Sequence, residues 1–334
     1  MNYIVLVAPF IITGLFLLSF VLILLKRYWF GGILFLFTVI FNIYIECIPF
    51  NLSFGKDRGD LKILTYNMYS ASDYYHSVED NPKDVRDFLL AQDADIIVLE
   101  EYYPDKCIAL RDSLLKVYPY LEYQKFHCSN AIYSKYPLSP IEEMTLDLEN
   151  NVLDEYKMKK AEEYDHLRKM YLYRDITSMW VKIGNDSIRL IACHMASNHF
   201  DAVREVMTDS IGKKDKITKF LKCLKAGRIE REVEARNIMR DVVTLNAAKQ
   251  KIVVLGDMND VAGSTTLMAL QENGILKNAW WKKGFGWGLT FHNHKVMHFR
   301  LDHVLFNKHI KLKNIEIVEQ SFSDHHALAV NFDL

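Results

Sequence analysis

The sequence predicts an α/β fold preceded by a pair of hydrophobic helices, and two observations support this. Beyond about Lys56, short strand-like runs are interspersed with amphipathic helical stretches, and several of the runs are fully apolar, as in strands of covered sheets. Before Lys56, two long apolar segments are separated only by Lys26 and Arg27. The 334 residues are 50% hydrophobic and 25% charged, which excludes a disordered, collagen-like or disulfide-dense protein.

The two apolar segments predict a membrane hairpin. The first runs from Tyr3 to Leu25 and the second from Tyr28 to Ile45, and neither contains a charged side chain. A helix needs about 20 apolar residues, with about 17 as the lower limit, to cross the hydrocarbon core of a bilayer. We therefore expect residues 1–50 to anchor the chain with two transmembrane helices, about 3–25 and 28–46, before a linker at 51–60. A buried hairpin of a soluble fold is the alternative.

Charges beside these segments bear on membrane orientation. Lys26 and Arg27 favour a cytoplasmic loop, which would place the rest of the chain outside the cytoplasm. Lys56, Arg58 and Lys62, which follow the second segment, favour the opposite orientation. The resulting expectation is a multi-pass membrane protein with two spans and an extracytoplasmic catalytic domain.

The rest of the chain carries the strand and helix patterns. Residues 61–334 suffice for one large core or two smaller ones. Strands are expected at Leu61–Asn67, Ile96–Leu99, Ala131–Tyr133, Met179–Ile183, Ile188–Cys193, Lys251–Leu255 and Leu301–Phe306. Helices are expected at Lys83–Ala91 and at Glu230–Ala248, whose apolar face carries Ala235, Ile238 and Met239.

A basic stretch, Ile211–Arg228, also has helical periodicity. It contains seven Lys or Arg residues and one Asp, with apolar side chains three and four positions apart. Such a helix could lie on an anionic bilayer, could guide an anionic substrate into a cleft, or could dock on the protein with a solvated lysine face.

Overall charge and cysteine usage identify no special class of partner. The 42 acidic and 41 basic residues give a net charge of -1, so the chain has no global bias towards nucleic acid. The five cysteines are widely scattered and form no CxxC pair, so they support neither a structural zinc site nor a disulfide framework.

Polar residues follow one predicted strand after another. Ligands of α/β proteins collect beyond the carboxyl ends of strands, whereas a single polar residue there is usually a turn former. The residues in question are Asn67, Glu100, Glu101, His194, Asp257, Asn259, Asp302, Asp324 and His325. Their number favours a shared functional site, and Asp257 and Asn259, two positions apart, can face the same side.

The same stretches resemble the endonuclease/exonuclease/phosphatase superfamily, and specifically a membrane-anchored bacterial type. The matching segments, in the order of the family, are ILTYN, ADIIVLEE, SNAIYSKYPL, RLIACHM, VVLGDMND, FRLDHVLF and FSDHHAL. The resemblance covers residues 61–334 and implies a four-layer α/β/β/α sandwich, in which two packed mixed sheets are flanked by helices. It also implies a hydrolase acting on ester bonds.

The resemblance further implies a Mg²⁺ site, with Mn²⁺ as a possible substitute. Glu101 is the expected metal ligand, with Asn67 and Asp324 as its partners. The family commonly has Gln where this chain has Glu100, which leaves both glutamates open as the one that faces the metal, and alignment favours Glu101. Hard divalent cations prefer oxygen ligands, in agreement with these residue types.

Catalytic roles are implied for five further residues. Asp257 would orient or deprotonate the attacking water, and Asn259 would hold that water or a phosphate oxygen. Asp302 and His325 would form a carboxylate–imidazole pair that stabilises the charged transition state or assists the leaving oxygen. His194 would donate to a phosphate oxygen. From its position before a predicted strand, Arg174 is expected to make an additional substrate contact.

The sequence thus predicts a Mg²⁺-dependent phosphoesterase that acts by in-line attack of an activated water. A nuclease-like activity is the first expectation, and a lipid phosphodiesterase or phosphatase, sphingomyelinase-like or inositol-phosphatase-like, is the alternative within this class. A catalytically silent, membrane-tethered binding module is the alternative from another class. The expected partners are a phosphate-ester substrate, nucleic acid or phospholipid, and a bilayer, and no protein partner can be inferred.

Overall fold

The computed structural model describes residues 5–52, 58–68, 82–123, 130–143, 175–197, 213–292 and 298–334. The first elements are two helices, α1 (Ala8–Leu24) and α2 (Tyr28–Tyr44), which pack together as a hairpin. The next elements are β1 (Leu61–Asn67), α3 (Pro82–Ala91), β2 (Ile96–Glu100), α4 (Ile108–Leu115), β3 (Tyr120–Tyr123), β4 (Asn130–Ser134) and β5 (Glu142–Glu143).

The second half of the chain contains the longest helix. Its elements are β6 (Asp175–Ile183), β7 (Asp186–His194), α5 (Lys213–Ala247), β8 (Lys251–Asp257), α6 (Thr265–Gln271), β9 (Lys277–Asn278), α7 (Ala279–Lys283), β10 (Asp302–Phe306), β11 (Lys311–Val318) and β12 (Ala327–Asp333). The helix predicted from the basic stretch is therefore the first part of α5.

The strands form two mixed sheets of six strands each. Sheet 1 has the order β11-β12-β1-β2-β4-β3, and sheet 2 has the order β5-β6-β7-β8-β10-β9. In sheet 1, β1 and β2 are parallel, and in sheet 2, β7 and β8 are parallel. The other pairings are antiparallel.

Three apolar clusters show the order of the layers. The largest joins the facing sides of the two sheets, where Ile63 of sheet 1 belongs to the same cluster as Leu190 and Val253 of sheet 2. A second cluster covers the other face of sheet 1 with α3 and α4, and a third covers the other face of sheet 2 with α5 and α6. The predicted α/β fold, with two mixed sheets flanked by helices, is thus confirmed.

Strand alternation directs polar residues into the space between the sheets. In β8, Val253 and Leu255 belong to the cluster between the sheets, whereas Val254 belongs to the outer cluster. Successive strand residues point to opposite faces, so Asp257 shares the inward face with Val253 and Leu255. The same parity turns Asn67 of β1 inward, since Leu61 and Ile63 are inward.

The predicted strands are present, but five strands were not predicted: β3, β5, β9, β11 and β12. Of these, β12 matters most because it lies between β11 and β1 in sheet 1. Its residues Ala327–Asp333 are buried except for the last one. It begins two residues after His325 and pairs with β1, so it brings the segment that carries Asp324 and His325 to the end of β1.

The predicted membrane location is wrong. Both apolar segments do form helices, but α1 and α2 have 17 residues each, which corresponds to about 25 Å at 1.5 Å per residue. Across the residues that the structure describes, no helix is both long enough and apolar enough to span a bilayer. The expectations of two spans, of a multi-pass location and of an extracytoplasmic domain are therefore not retained.

The hairpin instead contacts the rest of the protein. Its first described residue, Val5, packs against Val261, Phe291 and Leu301. Where α2 ends, the carbonyl oxygens of Glu46 and Cys47 each accept a hydrogen bond of 3.3 Å from the guanidinium of buried Arg300.

Candidate active site

Three polar residues of sheet 2 stand side by side. In the strand register, Asp257 of β8 is paired with His194 of β7 and with Asp302 of β10. Because residues paired across adjacent strands point to the same face, the carboxylates and the imidazole all face sheet 1. The Nε2 atom of His194 lies 3.9 Å from Asp257 Oδ2.

An asparagine of sheet 1 links the two sheets at this point. The side-chain amide of Asn67, at the end of β1, donates to Asp257 Oδ2 at 3.0 Å and to Glu101 Oε1 at 3.2 Å. Asn67 is buried, and its backbone carbonyl accepts a 2.7 Å hydrogen bond from the hydroxyl of Ser323. One residue therefore joins β8, the end of β2 and the segment before β12.

Backbone conformation determines which of the two glutamates reaches the site. Glu100 continues the inward face of β2 and accepts a 2.5 Å hydrogen bond from Thr65 beneath the site. Its burial raises the pKa of the Glu100 carboxyl to about 8, and the charges of Asp302 and Asp257 add to that rise. Glu101 has a left-handed φ of 50°, which is unusual for a residue with a side chain and which ends the alternation of β2.

Glu101 contacts an imidazole as well as Asn67. Its Oε1 atom lies 3.3 Å from Nε2 of His194. Burial raises the pKa of Glu101, but the hydrogen bond and charge of His194 outweigh that effect, so the pKa of Glu101 is lowered and its carboxylate is ionised. The structure thus brings the Glu101 carboxylate into contact with the side chains of Asn67 and His194, while the Glu100 carboxyl is bonded to Thr65.

A buried carboxylate–imidazole pair closes the other side of the site. Nδ1 of His325 lies 2.8 Å from Asp302 Oδ2, and Nε2 of His325 lies 3.8 Å from Asp257 Oδ2. Burial alone would lower the pKa of His325, but the charges of Asp302 and Asp257 outweigh it and raise this pKa to about 10. Burial alone would raise the pKa of Asp302, but the charge of His325 outweighs burial and lowers the pKa of Asp302. His325 is therefore a cation at neutral pH.

Asp324 adds a third acidic group to Glu101 and Asp257. Burial, with the negative charges of Glu101 and Asp257, raises the pKa of Asp324 to about 6. Burial also raises the pKa of Asp257, against the lowering effect of His325. A positive charge that bound among these oxygens would relieve both effects.

Asn259 lies on the loop that follows β8 and faces a backbone group. Its φ is 49°, its N–H donates to Asp257 Oδ1 at 2.8 Å, and its side-chain amide donates to the carbonyl of Met195 at 2.9 Å. Asn259 therefore orients the Asp257 carboxylate and ties the loop after β8 to the loop after β7. Arg174, the remaining predicted contact, lies outside the described residues.

A divalent cation fits the chemistry of these donors. Within the described ranges, no group of three or more His, Cys, Asp and Glu side chains is already arranged as a metal cage. The fit comes instead from the mutual repulsion of the Glu101, Asp257 and Asp324 carboxylates and from the oxygen of the Asn67 side chain. Oxygen donors of this kind suit Mg²⁺, which keeps several waters when it binds to a protein.

Two buried charged residues at the site were not predicted. Arg231 and Glu234 of α5 are buried and contact the loop after His194. The sequence does carry a signal for them, because positions 231 and 234 lie on the same face of the helix as the apolar residues Ala235 and Ile238. Charged residues at two positions of such a face indicate buried, partnered groups.

Part of the chain matches a known protein family. Residues 225–325 match the model of the Endonuclease/Exonuclease/phosphatase family. No curated protein matches the sequence. The matched segment includes Asp257, Asn259, Asp302 and His325, so the predicted resemblance is confirmed for that part of the chain.

Solved structures share the fold at low sequence identity. An endonuclease/exonuclease/phosphatase family protein from Bacteroides thetaiotaomicron is 15% identical, covers 83% of this chain and 100% of its own, and has a TM-score of 0.55. A mannosyl-6-phosphatase from the same organism is 15% identical, with 82% and 100% covered and a TM-score of 0.53. Sphingomyelinase C from Streptomyces griseocarneus is 15% identical, with 82% and 99% covered and a TM-score of 0.52.

These neighbours differ in what their names say they act on, since one is a phosphatase and another a sphingomyelinase. Enzymes of both names cleave phosphate esters, and the prediction of a hydrolase that acts on ester bonds is confirmed at this level. The comparisons identify no substrate and no specific metal ion for this chain.

Proposed function

We propose that this protein is a divalent-metal-dependent phosphoesterase whose site lies between the ends of the two sheets. The observation that carries the proposal is the arrangement around Asp257, whose Oδ2 receives the Asn67 amide at 3.0 Å and has His325 Nε2 at 3.8 Å and His194 Nε2 at 3.9 Å. The buried carboxylate can accept a proton from water, and the two imidazoles can donate to the charge that develops when a phosphate ester is hydrolysed.

The polar groups accept a proton, donate to the phosphate or orient the Asp257 carboxylate. Asp257 accepts the proton of the attacking water. At the same time the water oxygen bonds to phosphorus and the bond to the leaving oxygen breaks. His325, a cation held by Asp302, donates from Nε2 to the charge that develops on the phosphate or on the leaving oxygen. His194 donates to a phosphate oxygen, while Asn67 and Asn259 orient the Asp257 carboxylate.

A divalent cation, with Mg²⁺ as the ion expected, would be held by Glu101, Asn67 and Asp324. It would supply the positive charge that offsets the negative oxygens of the substrate. The direction of the pKa shift of Asp324 supports this assignment, because a carboxyl raised to about 6 by acidic neighbours and burial regains an ordinary pKa when a cation binds.

A panel of phosphate esters tests the proposal. Purified protein is incubated with DNA, RNA, sphingomyelin, phosphoinositides and nucleotides, each with Mg²⁺ and with EDTA, and phosphate or alcohol release is measured. We expect hydrolysis of at least one ester with Mg²⁺ and none with EDTA. The nucleic-acid substrate predicted from the sequence is tested in the same panel.

Two histidine variants accompany this panel. His325→Gln should reduce kcat by about 10²- to 10⁴-fold, the range for a positioned acid or base. His326→Gln is the matched control, because this neighbour stacks on His292 and accepts a 3.3 Å hydrogen bond from the Gln320 N–H, and it should keep activity within about threefold. Near-full activity of His325→Gln would refute the assignment. Binding of Mg²⁺ without turnover of any ester would favour a binding module.

A further inference from the structure

One face of α5 joins the two loops that follow His194 and Asp257. Arg231 is buried on this face, and its guanidinium donates in two directions. Nη1 donates to the carbonyl of Ala196 at 2.7 Å, and Nε donates to Asp260 Oδ2 at 3.2 Å. Ala196 lies two residues after His194, and Asp260 lies three residues after Asp257, so a single side chain spans both loops.

The helix also holds the other polar group of Ala196. The Glu234 carboxylate, one turn after Arg231, accepts a 3.1 Å hydrogen bond from the Ala196 N–H. Both backbone groups of Ala196 are therefore bonded to side chains of α5. Charged side chains that donate to and accept from the same residue fix its position more closely than packing of apolar groups does, because hydrogen bonds are directional.

Asp260 extends the connection to the third strand of the site. Its carboxylate also accepts a 2.7 Å hydrogen bond from the Thr266 hydroxyl. Its backbone carbonyl lies 2.9 Å from Nε2 of His303, which is the residue after Asp302. Burial lowers the pKa of His303 to about 3, so this imidazole is neutral and donates to the carbonyl.

The backbone of α5 approaches the loop as closely as a glycine permits. A Cβ atom at Gly227 would lie 2.7 Å from the carbonyl oxygen of Ser197 and 3.0 Å from Nη1 of Arg231. A larger residue at this position would force the helix away from the loop that follows His194. The close approach and the hydrogen bonds of Arg231 are independent features that serve the same contact.

We propose that Arg231, supported by Glu234, is a positioning residue that sets the distance between the loop after His194 and the loop after Asp257. This inference rests on the proposed phosphoesterase function for its kinetic consequences. Reacting groups that are displaced by about 1 Å can lose about 10²-fold in rate. Loss of the Arg231 contacts is therefore expected to act on turnover through the loop that carries Asn259, whose backbone N–H orients the Asp257 carboxylate.

Substitutions on α5 test the proposal with the best ester of the panel. Arg231→Gln should lower kcat by about 10- to 100-fold while KM changes by less than about threefold. Arg231→Lys keeps the positive charge beside Asp260 and should keep most of the thermal stability, yet its ammonium lacks the planar fork that reaches two loops, so kcat should still fall. Arg236→Gln removes the same charge from the exposed side of α5 and is the control.

Hydrogen exchange supplies a measurement that does not need turnover. In Arg231→Lys, the amides of residues 194–197 and 257–261 should exchange faster together, while those of β1 and β2 remain as in the wild type. A kcat of Arg231→Lys and Arg231→Gln equal to that of the wild type would overturn the inference. A decrease in kcat that is fully explained by a smaller fraction of folded protein would overturn it as well.

The failure of the two proposals can be told apart. A wild-type protein that hydrolyses no ester of the panel refutes the phosphoesterase proposal, and hydrogen exchange still tests the coupling of the loops. An active wild type with unchanged exchange and turnover in both Arg231 variants refutes the positioning role alone.

Discussion

The two sheets contribute to the site in different ways. Sheet 2 supplies His194, Asp257 and Asp302 from within its strands, side by side in the register. Sheet 1 supplies only Asn67 from within a strand, while Glu101 and Asp324 lie just outside its strands. The hydrogen-bond ladder therefore fixes one half of the site, and loop conformation fixes the other half.

This difference separates two kinds of chemistry. The residues held by the ladder of sheet 2, with His325, form the group that is proposed to move protons, which demands precise distances. The proposed metal ligands lie at the ends of sheet 1, where side chains can adjust to an ion that keeps waters in its coordination shell. Variants in the two halves are expected to fail in different ways.

The largest effect is expected in sheet 2. Asp257→Asn keeps the shape of the side chain but removes the proton acceptor, so kcat should fall by about 10²- to 10⁴-fold at every Mg²⁺ concentration. The measurement is a Mg²⁺ titration of the initial rate, with circular dichroism to verify folding. Asp241→Asn, the same change on α5, should behave like the wild type. Recovery of Asp257→Asn at high Mg²⁺ would contradict the division between the sheets.

A smaller effect is expected in sheet 1. Glu101→Gln should weaken Mg²⁺ binding by at least about tenfold and leave an enzyme whose rate recovers as Mg²⁺ is raised. Calorimetric titration of the wild type and the variant with Mg²⁺ alone measures the affinity without substrate. If Glu101→Gln bound Mg²⁺ as the wild type does but turned over slowly, Glu101 would belong with the residues that carry the chemistry.

A third effect concerns stability in acid and arises at His303 of β10 in sheet 2. Burial, with the charge of nearby Arg300, lowers the pKa of His303 to about 3, so the unfolded state binds a proton below about pH 6.5 and the folded state does not. Stability from this neutral imidazole is present above pH 6.5 and is lost as the pH falls, at about 1.4 kcal/mol per pH unit.

His303→Gln should therefore reduce the loss of unfolding free energy between pH 6.5 and pH 5 by about 2 kcal/mol. Urea unfolding at both pH values measures this difference, and His309→Gln on a turn serves as the control. An unchanged acid dependence in His303→Gln would mean that the imidazole is already protonated in the folded protein.

The sequence was sufficient to predict the site residues of sheet 2, which face the space between the sheets. The alternation of Val253, Leu255 and Asp257 follows from the geometry of any strand, and the polar strand ends predicted where side chains would meet. The choice between Glu100 and Glu101 could not be made this way, because it depends on one left-handed φ angle. Arg231 and Glu234 were missed as positioning residues because their place on the helix indicates burial, whereas their partners lie on loops distant in sequence.

The N-terminal hairpin shows where composition misleads. Its two apolar segments were predicted to be helices, which is confirmed, and to be membrane spans, which is wrong. Most of the large apolar side chains exposed in the described chain lie between Val7 and Leu52. The composition of these segments is therefore that of membrane spans, although the helices are too short to be spans. The packing of Val5, in the first segment, against Val261 and Phe291 is a long-range contact that no local pattern encodes.

Arg300 has a practical consequence for anyone who produces this protein. Deleting residues 1–50 to improve solubility would remove the carbonyl oxygens of Glu46 and Cys47, two of the three acceptors of a buried guanidinium two residues from Asp302. A buried cation that loses its hydrogen-bond acceptors destabilises the folded protein. Polar replacements at outward positions such as Leu17, Trp29 and Phe37 would preserve that contact, and they are the better route to a tractable enzyme.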